Sequence, residues 1–104
     1  MNQACATILL LITFLVLTET GIYMHEDVHK VIDSYYGATN ITVHVGIFEG
    51  YTQADSANVK DTNGYWLAHS INEIIAYAVF MMLLIWTAGR IMAILEYGGK
   101  VPSS

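Results

Sequence analysis

Two long apolar runs bracket a polar middle. From Met1 to Thr18 no Asp, Glu, Lys or Arg occurs. A second uncharged run extends from Ile74 to Gly89, is interrupted by Arg90, and resumes from Ile91 to Leu95. The first run reaches the lower limit of length for a bilayer-spanning helix, and the second passes it if Arg90 snorkels to the interface. The pattern predicts a mainly α membrane protein. Its two transmembrane helices form an antiparallel hairpin, with a small extracytoplasmic loop that contains a short β-hairpin. No basic residue precedes the first run, and Thr18-Glu19-Thr20-Gly21 is a poor cleavage site. A retained anchor is therefore expected over a cleaved signal.

The polar middle divides by period. Over residues 19–36, His25, Val28, His29, Ile32 and Tyr36 recur at helical spacing, so the first span is expected to continue as a helix, and Gly37 to stop it. Residues 41–48 alternate, with Ile41, Val43, Val45 and Ile47 on one face and Thr42, His44, Gly46 and Phe48 on the other. That alternation predicts a strand. Residues 49–64 are rich in Gly, Asp, Asn, Ser and Thr and read as a turn or loop. A second strand within 51–60 would complete a hairpin. The expected organisation is 1–36 for the first span and its extension, 37–65 for the strand and loop region, 66–97 for the second span, and 98–104 for a flexible tail.

Composition narrows the class. The chain has 104 residues, of which 55% are hydrophobic and only 12% charged, which excludes a disordered chain and disfavours an ordinary soluble globule. Nine acids against four bases give a net charge of −5, with no basic stripe for nucleic acid. The single cysteine, Cys5, rules out an intrachain disulfide and a cysteine-based zinc site. Arg90 and Lys100 follow the second span, while residues 19–73 hold eight of the acids and only Lys30 and Lys60 as bases. The positive-inside rule then places both termini in the cytoplasm and the loop outside. The sequon Asn40-Ile41-Thr42 agrees with that orientation.

Candidate chemistry lies at the junctions of span and loop. His25-Glu26-Asp27-Val28-His29 is an H-E-x-x-H sequence, which on a helix puts both imidazoles on one face to share a metal ion. Glu26 lies beside that face, where a general base would stand. His69 and Glu73 are also four residues apart, at the start of the second span. If the spans pack antiparallel, the two pairs meet at one depth. His25, His29 and Glu73 then become the metal ligands, with His69 a further candidate. Zinc is the expected ion, although two histidines and a carboxylate also suit other divalent transition metals.

His25-Glu26-x-x-His29 followed by Asn72-Glu73 resembles the motif of gluzincin metallopeptidases. That resemblance implies His25, His29 and Glu73 as zinc ligands, Glu26 as the base, and a peptide substrate. The only clear strand follows the motif helix here, whereas gluzincins place theirs before it. A weaker likeness is to site-2-type intramembrane proteases, in which an H-E-x-x-H helix in the membrane precedes a Gly and a hairpin.

Other residues read more plainly. His44 is expected to be exposed, and Met81, Met82, Leu83, Leu84 and Trp86 to face lipid or another helix. Tyr35 and Tyr36 suit an interface, and Ala76, Ala78, Ala88 and Gly89 would let a helix approach closely. Two functions follow. One is a membrane-anchored zinc hydrolase, metallopeptidase-like, with lipid around it and a second copy or a larger protein beside it. The other is a non-enzymatic small subunit of a larger membrane complex, in which the His/Glu cluster is structural.

Overall fold

In a computed structural model the chain forms two long helices with a small two-stranded antiparallel sheet between them in sequence. The backbone is described for residues 2–100 and side chains for 2–97. Helix α1 runs over Gln3–Tyr36, strands β1 and β2 over Thr39–Gly46 and Glu49–Asp55, and helix α2 over Thr62–Lys100. The tail at 101–104 lies outside the described residues.

α1 is one uninterrupted helix of 34 residues, about 50 Å long. Its N-cap is Asn2, whose side-chain oxygen accepts from the Cys5 amide (2.8 Å). It ends at Gly37, where φ is +87° and the left-handed turn returns amides to Asp33 and Ser34. α2 starts about three turns before its apolar run. The Asp61 carboxylate accepts from the Gly64 amide (2.9 Å) and draws Tyr65 and Trp66 into helix.

The two helices meet along one seam. On α1 the buried and half-buried positions include Thr7, Phe14, Thr18, His25, His29 and Ile32. On α2 they include Tyr65, His69, Asn72, Ala76, Leu83 and Thr87. Both series step by three, four or seven, the spacings at which one face of a helix stays turned to its neighbour. Gly89 faces open space, so it does not set the approach of α2 to α1. Both helices are long and apolar enough to cross a membrane. Most of their large apolar side chains, Leu9, Val16, Ile74 and Met82 among them, point outward. The buried apolar cluster consists of Ala38, Val59 and Tyr65, with Ile32, Tyr36 and Ala54 packed around it.

The sheet folds back against the polar half of α1. Ile41, Val43 and Val45 are half-buried and Thr42 and His44 exposed, as the alternation predicts. The boundaries differ from expectation: β1 stops at Gly46 and β2 begins at Glu49, because the turn is Ile47-Phe48. Neither residue is a usual turn former, so sequence chemistry assigns both to the strand. A further irregularity lies between Thr39 and Thr42, where Asn40 adopts φ +53°.

Gly50 permits the sheet to lie this close. A Cβ there would stand 2.7 Å from Ile22 Cγ2 and 3.0 Å from Glu26 Cγ. Gly50→Ala is therefore expected to lower stability by about 1–3 kcal/mol, the usual cost of overpacking. Denaturant unfolding in detergent, followed by circular dichroism, measures it.

Candidate metal centre

Three pairs of side chains connect the helices like rungs. His25 meets Glu73, His29 meets His69, and Asp33 meets Tyr65. Each step of four residues along α1 matches a step of four back along α2. Side chains four apart stack on one helix face, so two such ladders can face each other without a kink.

At the first rung three ligand atoms converge. His29 Nε2 is 2.7 Å from Glu73 Oε1, His25 Nε2 is 2.9 Å from the same oxygen, and the two Nε2 atoms are 3.2 Å apart. Ligands about 2.0–2.1 Å from a tetrahedral zinc stand roughly 3.3 Å from one another, so the two nitrogens are already near that spacing and the Glu73 oxygen would draw back by about 0.4–0.6 Å. These three residues form a group that can hold a metal ion. Both histidines are mostly buried, and the Glu73 carboxylate is half exposed.

The protons follow from the second and third rungs. Asp33 Oδ1 accepts from the Tyr65 hydroxyl (2.5 Å) and from His69 Nε2–H (3.0 Å). A neutral His69 protonated at Nε2 has a bare Nδ1, which accepts from His29 Nδ1–H at 2.6 Å. His29 Nε2 is then also bare, and it faces a carboxylate oxygen at 2.7 Å. Two lone pairs this close require a cation between them, a proton or a metal ion. Metal-ligating histidines usually pass their outer N–H to an acceptor in this way, and in that tautomer His29 would do the same. His25 does not: its Nδ1 is buried without a partner.

Asp33 and Glu26 are the most buried carboxylates of the chain, each 3% exposed. Such burial is costly unless hydrogen bonds compensate. Asp33 is compensated by Tyr65 and His69. Burial, reinforced by the adjacent Asp33 carboxylate, pushes the Tyr65 hydroxyl up to about 12, so it remains a donor across the physiological range. Glu26 is compensated by Thr52 on β2, whose hydroxyl donates to Oε1 (2.9 Å). That bond leaves Oε2 free, 4.0 Å from His25 Nε2, a gap that suits a bridging water. Asn72 donates to the His25 backbone carbonyl (3.1 Å) and ties α2 to the motif helix.

An open cavity of about 1260 Å³ lies over these residues. α1 forms its floor, with His25, Glu26 and His29, and β2 and α2 form its walls. β2 packs on β1 and α1 but makes no close approach to α2, so its outer edge is unpaired and borders the cavity. Glu26, Asp33, Glu49, Asp55 and Glu73 line the space, with no Lys or Arg among the lining residues. Such a lining attracts cations.

Of the sequence candidates, His25, His29 and Glu73 come together at one point, with Glu26 beside them. His69 stands behind His29, on its outer nitrogen. His44 stacks on Tyr51 at 4.6 Å on the exposed face of the sheet, away from the centre. Sequence reasoning misses Asp33, Tyr65, Thr52 and Gly50. Asp33 and Tyr65 carry a readable signal, since each lies four residues from a candidate histidine. Thr52 and Gly50 do not, because their positions depend on the strand register. No protein-family model matches the chain, and no curated protein or solved structure is similar to it at a significant level.

Two outcomes are expected. His69→Ala or Asp33→Asn frees the His29 ring and lowers zinc affinity about 10–100-fold, measured by competition with a chelating dye. Tyr65 contributes stability that is complete below pH 10 and disappears as pH rises from 10 to about 12, because folding favours its protonated form. Parallel unfolding of the wild type and Tyr65→Phe at pH 8 and near pH 12 should show the gap between them narrowing.

Proposed function

We propose that the protein is a small integral-membrane zinc hydrolase that cleaves peptide bonds. In this reading residues 3–18 and 74–95 span the bilayer as an antiparallel hairpin. Both termini are cytoplasmic, and the sheet and metal centre lie outside. The observation that carries the hydrolase is the position of Glu26. It is buried, held at one oxygen by Thr52, and free at the other 4.0 Å from a candidate ligand atom. The bond to Thr52 ties β2 to α1 at one oxygen, and it is the other oxygen, turned to the ligand triangle, that suits a base.

His25, His29 and Glu73 would hold the ion, leaving a fourth position toward the cavity. Zinc so held would lower the pKa of a bound water to roughly 7 and polarise a carbonyl. Glu26 takes the proton of the attacking water at Oε2. The water oxygen adds to the carbonyl carbon, the C–N bond breaks, and Glu26 returns the proton to the departing nitrogen. The unpaired edge of β2 is suited to align an extended substrate by backbone hydrogen bonds across the ligands.

A second reading is a non-enzymatic subunit of a larger membrane complex, with the metal structural. The outward apolar surface of both helices favours it, since such a surface accepts a helix partner as readily as lipid.

Elemental mass spectrometry of detergent-purified protein should give about one zinc per chain, absent from His25→Ala/His29→Ala. Glu26→Gln should keep its zinc and lose peptide hydrolysis by about 10²–10⁴-fold. Zinc retention with no hydrolysis by the wild type would leave the subunit reading. Absence of zinc from the wild type, even after reconstitution, would defeat both uses of the site.

A further inference from the structure

We propose that the tip of the β-hairpin, Ile47 and Phe48, inserts into the lipid surface and fixes the height of the metal centre above it. This rests on the membrane placement given above. The first observation is the turn itself. Two-residue hairpin turns favour Asn, Asp and Gly, which tolerate left-handed backbone and water. Here the turn is Ile-Phe. Ile47 is 84% exposed, and Phe48 is 53% exposed with φ +58°. A bulky side chain in the left-handed region and a bare isoleucine are both unfavourable in water. Lipid removes the second penalty and gives the pair a purpose.

The second observation is where the tip sits. The Phe48 amide donates to the Glu19 carboxylate. Glu19 is the first charged residue after the uncharged run from Met1 to Thr18. The tip is therefore held at the level where α1 leaves its apolar stretch. Following the rung spacing, the opposing stretch of α2 carries exposed Ile75 and Val79, and exposed Tyr23 lies one turn above on α1. Immediately behind the tip the hairpin turns polar, with Glu49 and His44 exposed. An apolar point backed by polar residues matches the boundary between acyl chains and headgroups.

The placement has a functional corollary. His25 lies six residues beyond Glu19 along α1, about 9 Å. The cavity would then open at headgroup height, facing chains that lie on the membrane or emerge from it.

Cys5 is the only cysteine, so labels can be placed singly in a Cys5→Ser background. The environment-sensitive fluorophore NBD is attached at Phe48→Cys and, separately, at Ile47→Cys. Ser56→Cys, at the far end of the hairpin, serves as the aqueous control, and Ile12→Cys as the span control. Each protein is reconstituted into phosphatidylcholine vesicles. Only preparations with wild-type helix content are compared. Quenching is read with aqueous iodide and with lipid carrying doxyl at a shallow or, for position 12, a deep acyl position. The expected result is strong lipid quenching at positions 47 and 48, with iodide quenching several-fold weaker than at 56. Iodide quenching equal to that at 56 overturns the proposal. So does protection from both quenchers, which would mean that protein covers the tip. Failure of lipid quenching at position 12 overturns the membrane placement itself, and the proposal with it.

Discussion

The interaction on which the rest depends is the polar ladder between two otherwise apolar helices. Three rungs bind α1 to α2 over the length of two helical turns. Below them the seam is van der Waals contact, such as the Phe14–Phe80 ring pair at 6.2 Å. Van der Waals packing alone fixes register weakly. Buried histidines and carboxylates fix it strongly, because a slip of one residue would leave several of them without partners. The ladder thus specifies how the helices align, and in doing so it assembles the three atoms of the metal centre.

The same ladder fixes proton positions. Asp33 is buried beyond the three candidate ligands and touches none of them, yet when it accepts from a neutral His69 it leaves Nε2 of His29 bare. The influence passes through His69, one hydrogen bond at a time. Tyr65 closes the chain at its far end by completing the Asp33 carboxylate. The centre therefore extends well beyond the ligand triangle. Its far end rests on the buried apolar cluster, to which Tyr65 also belongs. Packing and site chemistry share one residue there.

Much of this was legible in the sequence because helices write their faces locally. His25 and His29, and His69 and Glu73, are each pairs at a spacing of four, and the apolar runs place both pairs beside the spans. The continuation of α1 to Tyr36 and its stop at Gly37 are equally local. Two things were hidden. The helical state of Tyr65 is one, since the capping by Asp61 precedes any apolar periodicity, and its spacing of four from His69 becomes a signal only once that turn is known to be helix. The contribution of Thr52 and Gly50 required the hairpin register, and an apolar turn at Ile47-Phe48 disguises it. A strand pair reveals its register through turn chemistry, and here that chemistry is overridden.

One consequence follows from the continuity of α1. No proline or irregularity separates its apolar half from the His25–His29 face, so the helix behaves as a stiff rod across that junction. Glu73 sits on a second such rod. An ion held by all three residues is then a clasp at one end of a pair of levers. If the two helices span a bilayer, a change in their crossing angle imposed by a thinner or thicker membrane would arrive at the clasp as a change in ligand spacing. Coordination is sensitive to tenths of an ångström, so in a membrane-spanning pair the tilt of the helices and the occupancy of the site would be coupled.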